Sequence, residues 1–361
     1  MTGRLPSGPG MHLLAAATAL PGPAIGNEVL AGRLGLSAEW VEMFIGTRTR
    51  HFAVDLGGGV GCLLADLCEQ AAVRCLERAG LTVRDLAFVV LATATPDALM
   101  PTTAAVVADR LGGVGIPVYQ LQSGCSGAVQ AFTLAEALLA REPARPGRES
   151  GEGKGPGPYG LVLGGDVCAK HLDLQQDFRR MPPAQLVNYV IFGDGAGAAV
   201  VSAAPAPGSA AFLGLGHRLA LPGQPPGQHV EWYGAADRDS ALPPVSEDYK
   251  AVECLVPELA QQVCAELLDA LGWSPQDLGY LLPPQLGGLM TRRITAALRS
   301  GLGVEKAVEI SCVADTGNTG NALVLSQLEQ LLPLLTPGAR ALCACVESSR
   351  WISAGFALEA S

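Results

Sequence analysis

Thirty-four acidic residues against 24 basic ones give this 361-residue chain a net charge of −10, and no Lys/Arg-rich stripe interrupts it, so a bulk nucleic-acid binder is excluded. Hydrophobic residues make up 49% of the sequence, enough to bury a large core in two layered units. The ten cysteines are scattered along helix and strand patterns without a dense framework or a secretory lead, and they are read as thiols of a cytoplasmic protein.

The apolar run 11–17 is too short for a signal core and leads into Pro21-Gly22-Pro23, so it reads as a first strand, with no membrane span anywhere. Residues 34–50 form a short amphipathic piece ending in clustered arginines. A helix over 63–79 is closed by Gly80, a residue suited to a C-cap, and a buried strand follows over 86–92. Thr93-Ala94-Thr95-Pro96-Asp97 is the next loop and 101–111 the next helix. Residues 118–121 read as extended, and from Ala128 the apolar positions Val129, Phe132, Leu134, Ala135 and Leu138 recur at helical spacing.

Cys125 therefore falls in a strand-to-helix turn. Free N–H groups at a helix start favour thiolate over thiol, and small neighbours let a carbonyl approach the sulfur. A cysteine merely packed under a helix fits the local pattern equally well. Residues 142–157, rich in Pro, Gly and charge, read as a solvated insertion. Beyond it, Phe192-Gly193-Asp194-Gly195-Ala196-Gly197 is a glycine-rich turn running into a strand. A dinucleotide fingerprint needs the strand before the glycines and a helix after them, so that reading is rejected.

The second half repeats the first. Leu67, Ala71, Ala79, Gly80, Asp85 and Leu86 recur 192 positions later as Leu259, Val263, Leu271, Gly272, Asp277 and Leu278. With one further residue of offset, Gly124-Cys125-Ser126-Gly127 faces Gly317-Asn318-Thr319-Gly320. Such a repeat implies two βα units related by an approximate twofold, residues 1–205 and 206–361, with Cys125 and Asn318 meeting at the centre.

In the order and spacing of Trp40 to His51, Thr95-Pro96-Asp97 through Pro101, the cysteine turn, Phe192 to Ala198 and Gly317-Asn318-Thr319, the chain resembles the β-ketoacyl-acyl-carrier-protein synthase III family. That resemblance implies an α/β, thiolase-like fold with five αβαβα layers and an acyl intermediate on Cys125 assisted by Asn318. It further implies a homodimer and thioester substrates on coenzyme A or the phosphopantetheine of an acyl carrier protein, with no metal and no tightly bound cofactor. Trp40, Phe44, Met100, Pro284 and Ser349 fall at substrate-binding positions. Pro284 stands where the family carries the histidine that, with the asparagine, stabilises the enolate of a decarboxylated malonyl unit. Phe44 replaces an arginine associated with coenzyme A, and Ser348-Ser349-Arg350 replaces a glycine-rich turn.

A substitute base is sought among His171, His217, His229 and Asp315, each of which also fits a solvated or turn position. His171 follows a strand end, while His217 and His229 are assigned to an irregular segment between the units. Arg292, Arg293 and Arg299 form a basic helix face suited to an acidic carrier protein, or simply to solvent. Three readings follow. The first is an acyltransferase passing an acyl group from Cys125 to a small-molecule or carrier-thiol acceptor in natural-product biosynthesis. The second is a carbon–carbon condensing enzyme with a displaced base or a pre-acidified donor, and the third a catalytically degenerate partner subunit.

Overall fold

Strands whose sequences read as unbroken apolar runs are those covered on both faces. The computed structural model, which describes residues 10–56, 59, 61–141, 158–172, 178, 181, 183–231 and 245–361, buries every residue of Leu86–Thr93 and Tyr159–Asp166. The stretch 142–157 lies outside the described residues.

The first half contains β1 (Met11–Ala19), β2 (Ile25–Gly26), α1 (Asn27–Leu34), α2 (Ala38–Phe44), β3 (Thr49–Arg50), α3 (Leu64–Ala79), β4 (Leu86–Thr93), α4 (Thr103–Arg110), β5 (Val118–Gln122), α5 (Gly127–Leu139), β6 (Tyr159–Asp166), α6 (Pro183–Ile191) and β7 (Gly195–Ser202). The second contains β8 (Ala210–Leu219), β9 (Gln228–Val230), β10 (Val245–Glu247), α7 (Tyr249–Leu271), β11 (Tyr280–Leu282), α8 (Gly288–Leu302), β12 (Val308–Glu309), α9 (Val313–Thr316), α10 (Ala322–Leu331), β13 (Arg340–Glu347) and β14 (Ile352–Ala360).

Ten strands join in the order β12-β11-β13-β14-β8-β1-β7-β6-β4-β5. Each half contributes five, and the halves meet where Met11–Leu13 of β1 pairs antiparallel with Ala210–Phe212 of β8. Helix α3 packs on the outer face of β1, β6 and β7, and α7 on the outer face of β8, β13 and β14. Helices α5 and α10 lie between the half-sheets, α5 touching β4 and β6 on one side and β8 and β14 on the other. This is the five-layer arrangement that the resemblance implies. Its central core includes Phe132 of α5 against Phe212 of β8 and Phe356 of β14, with ring centroids 5.1 and 6.1 Å apart.

The duplication holds in backbone detail. Helices α3 and α7 end at Gly80 and Gly272, whose φ values of 65° and 61° lie in the left-handed region that lacks a steric penalty only for glycine. Each is followed by a short 3-10 turn, Val83–Asp85 or Pro275–Asp277, and then by a strand. One expectation is corrected: His217 lies in β8, opposite Ala354 of β14, not in an irregular segment. Glycines 214 and 216 dilute that strand's pattern in the sequence.

Candidate active site

Strand β5 pairs parallel with β4 from Val89↔Val118 to Thr93↔Gln122, so both strands end at the same edge of the sheet. Loops at the carboxyl ends of parallel strands are where such folds place ligands. The chain leaves β5 at Gln122, turns through residues 123–126 and enters α5 at Gly127. A methyl group at Gly127 would strike the side-chain oxygen of Asn321 and crowd Ala92 and Ser123, so the close approach of the two central helices requires glycine there.

Cys125 opens into a cavity of about 50 Å³ whose wall also includes Asp166, Cys168, His171, Gln228 and Val245. The 3-10 turn Cys168–His171 that carries His171 is held by the buried Asp194, whose Oδ1 accepts from Ala169 N–H at 3.0 Å and whose Oδ2 accepts from Ala53 N–H at 2.7 Å. Asp194 belongs to the glycine-rich turn singled out in the sequence. The same turn binds the asparagine loop, with Gly193 N–H donating to Asn318 C=O at 3.1 Å and Asn318 N–H to Ile191 C=O at 2.8 Å.

The surroundings of the sulfur are acidic. Asp166 is buried and accepts from Ala94 N–H at 2.8 Å, Asn321 N–H at 2.8 Å and Asn321 Nδ2 at 2.9 Å, yet burial still raises its pKa. Glu347, at the end of β13, is likewise buried. Its Oε2 accepts from Ser123 Oγ at 2.8 Å and Ser126 Oγ at 2.6 Å, and its Oε1 from Ser349 Oγ at 2.6 Å. Burial, reinforced by Glu347 and Asp166, pushes the Cys125 thiol well above its ordinary value. The expectation that the helix start alone would favour thiolate is thereby corrected, because desolvation and two carboxylates outweigh it.

His171 is the one imidazole on the described wall of the cavity, and burial beside Lys170 lowers its pKa to about 4, so it is neutral at physiological pH. His229 pairs with Glu231 at 2.7 Å and faces a separate open groove. His217 lies in β8 away from the cavity wall. Asp315 is corrected as a candidate base: it takes Arg48 Nε at 2.9 Å and an Arg48 terminal nitrogen at 2.7 Å, with its side chain 62% exposed. A solvated carboxylate held in a bidentate ion pair has no call on a proton in the cavity.

Asn318 is buried behind the wall formed by Phe192 and Gly320, and its Oδ1 accepts from Gly320 N–H at 3.0 Å. Its Nδ2 makes no hydrogen bond among the described residues. The amide that touches the cysteine turn is that of Asn321, whose Nδ2 donates to Ser123 C=O at 2.9 Å. Pro284 is buried beside Gln285, whose Oε1 accepts from Ser311 Oγ and the N–H groups of Cys312 and Val313. Pro284 and Met100 are absent from the described wall of the cavity, and Met100 is 87% exposed next to a cis peptide at Pro101.

Trp40 and Phe44, one turn apart on α2, stack with ring centroids 5.5 Å apart. The end of α2 meets the start of α8, where Leu289 N–H donates to Ile45 C=O at 2.9 Å, so these rings share a face with the exposed Arg292 and Arg293. Arg293 pairs with Glu253 at 2.9 Å. Arg299 is removed from this basic face: its guanidinium turns inward onto Ala307 C=O at 2.8 Å and closes the end of α8.

Sequence reasoning missed Glu347, Asp166, Glu247 and Asn321. Asp166, ending an apolar strand with no turn to solvate it, carried a readable signal. Glu347 carried the same signal at the equivalent place in the repeat, since β6 and β13 are corresponding strands.

No family model matches the chain. It is 30% identical over 331 residues to the β-ketoacyl-[acyl-carrier-protein] synthase III 3 of Streptomyces coelicolor, with 90% of this chain and 89% of that protein covered. The chain belongs to the β-ketoacyl-acyl-carrier-protein synthase III family. Among solved structures, the synthase III of Pseudomonas aeruginosa PAO1 superposes with a TM-score of 0.78 at 28% identity, covering 97% of this chain and 98% of that one. AbyA1, a tetronic acid condensing enzyme, superposes with a TM-score of 0.88 at 51% identity, covering 97% and 99%. Synthase III membership accounts for the five layers and for the duplicated helix-cap-strand pattern.

Proposed function

We propose that this protein is an acyl-cysteine condensing enzyme that loads an acyl group from a carrier-protein or coenzyme A thioester onto Cys125. It then passes that group to a carbon already acidified by two flanking carbonyls, in the assembly of a polyketide-type natural product such as a tetronic acid. The observation that carries the reading is the 51% identity, over nearly the whole of both chains, to a tetronic acid condensing enzyme. Cys125 in a cavity beside Asp166 and His171 supports the loading step.

Loading is proton-neutral overall: the thiol proton of Cys125 ends on the departing carrier thiol, so a raised thiol pKa slows the exchange without forbidding it. Pro284 at the position of the family histidine supports a donor that needs no decarboxylation, because a proline offers no group to stabilise a malonyl-derived enolate. A 3-oxoacyl thioester needs only the loss of a proton from C2. Transfer to oxygen is the second reading, and the same neighbour favours it as a companion step. A tetronic acid ring contains a ring C–O bond as well as the new C–C bond.

The working assembly is a homodimer served by an acyl carrier protein, with Trp40, Phe44, Arg292 and Arg293 as the docking face. The test is intact-mass measurement of Cys125 acylation by acyl-thioesters, followed by addition of either malonyl- or 3-oxoacyl-thioester. Acylation and product formation with the 3-oxoacyl donor, without carbon dioxide release from the malonyl donor, is expected. Decarboxylation of malonyl-thioester at a rate matching condensation overturns the reading.

A further inference from the structure

The hairpin of β9 and β10 forms a partition between two spaces. Gln228 and Val230 of β9 and Val245 of β10 line the Cys125 cavity, while His229, Ser246 and Asp248 line an open groove of about 620 Å³ on the other side. The register places Val245 opposite Val230 and Glu247 opposite Gln228. Residues two apart on a strand share a face, so Glu247 belongs to the side of β10 that Val245 presents to the cavity. Glu247 also lies at the groove's margin, where Gly227 N–H joins the hairpin to Ser348 C=O at 2.9 Å. It makes no hydrogen bond or ion pair among the described residues, and its charge is felt at the Cys125 sulfur.

We propose that Glu247 is the catalytic base of the condensation, taking the C2 proton of the 3-oxoacyl donor that enters beside acylated Cys125. This rests on the functional reading above and assigns its missing base. Glu247 takes the proton from C2, and the resulting enolate carbon attacks the acyl carbonyl. The C–C bond forms, the C–S bond to Cys125 breaks, and the electron pair leaves on sulfur. Glu247 then returns its proton to the Cys125 thiolate, so both groups are reset and no external reactant is consumed.

Burial supports the assignment, since it raises the Glu247 pKa to about 7, poised for proton transfer near neutrality. The thiol of Cys125 is raised further, which makes the return of the proton downhill. The titratable groups around Glu247 are Cys125, and Tyr249 at the start of α7, whose own pKa burial and the Glu247 charge raise to about 12. Asp248 is occupied in capping Ala251 N–H at 3.0 Å. His229 faces the groove, and Tyr189 of α6 packs edge-on against Phe178 at 5.0 Å.

The experiment compares wild type, Glu247→Gln and Glu247→Asp for Cys125 acylation by intact mass and for condensation with a 3-oxoacyl-thioester between pH 5.5 and 9. Glu247→Gln is expected to acylate Cys125 and to condense at least 100-fold more slowly, losing the rise in rate near neutral pH. Glu247→Asp is expected to keep that rise at an intermediate rate. Condensation by Glu247→Gln within threefold of wild type, with the rise retained, overturns Glu247 as the base and leaves the functional reading standing. A wild type that acylates Cys125 but condenses with no 3-oxoacyl donor overturns both.

Discussion

Replacing Glu347 with Gln removes one negative charge from beneath the cysteine turn while keeping an oxygen to accept from Ser123 and Ser126, and Ser349 can rotate to accept from the new amide. The carboxylate lies against the turn itself, since a methyl group on Gly124 would sit 3.1 Å from the Glu347 carboxyl carbon. A charge at such range moves a neighbouring pKa by about 1–3. At the low end, the thiolate fraction of Cys125 rises about tenfold at any pH below its pKa. A Brønsted slope of about 0.5 takes back roughly threefold in nucleophilicity, so net alkylation quickens by about threefold. The assay is iodoacetamide incorporation at Cys125 by peptide mass spectrometry across pH 7 to 10, with the exposed Cys254 as reference thiol. Burial, the larger cause, is untouched, so Cys125 in the variant still reacts more slowly than Cys254. Equal or slower alkylation of Cys125 in a normally folded variant refutes the electrostatic account.

Glu247→Gln is expected to stabilise the fold at alkaline pH. Its folded pKa of about 7 exceeds the ordinary 4.5, so the folded state holds the proton more tightly and stability falls as pH rises between those values. The penalty is complete by pH 8 and on the order of 3 kcal/mol, and urea denaturation should show the variant's gain at pH 8 and none at pH 4. Asp315→Asn should leave condensation within twofold and cost no more than ~1 kcal/mol of stability, because its ion pair with Arg48 is exposed. Arg292→Glu with Arg293→Glu should raise KM about tenfold for a carrier-protein thioester and leave the coenzyme A thioester unaffected. The difference should shrink between 50 mM and 500 mM salt, as steering by surface charge is screened.

The parts of the site that are local in sequence were legible there. The turn at Cys125 follows from five extended residues and a helical period, and the duplication from the caps at Gly80 and Gly272. What escaped is tertiary. Glu347 meets Ser123 across 224 positions, and its role depends on a strand end being packed beneath a turn of the other half. Glu247 is a single acid in a three-residue strand, too short for a period, and only pairing with β9 assigns it a face. Asn318 was placed by symmetry with Cys125, but a side-chain bond inside its own loop redirects its oxygen, and Asn321, three residues on, reaches the cysteine turn instead. His217 was misassigned because glycines carry no hydropathy signal even where their backbone pairs in a sheet.

The grip of Glu347 on the two serines that flank Cys125 has a bearing on how the protein is made. During synthesis the nucleophile turn leaves the ribosome more than two hundred residues before the acid that clamps it, so the first half cannot acquire a finished reaction centre while translation continues. A nascent or truncated chain ending before β13 holds an unclamped, unguarded thiol, and the enzyme becomes competent only when its final hairpin closes.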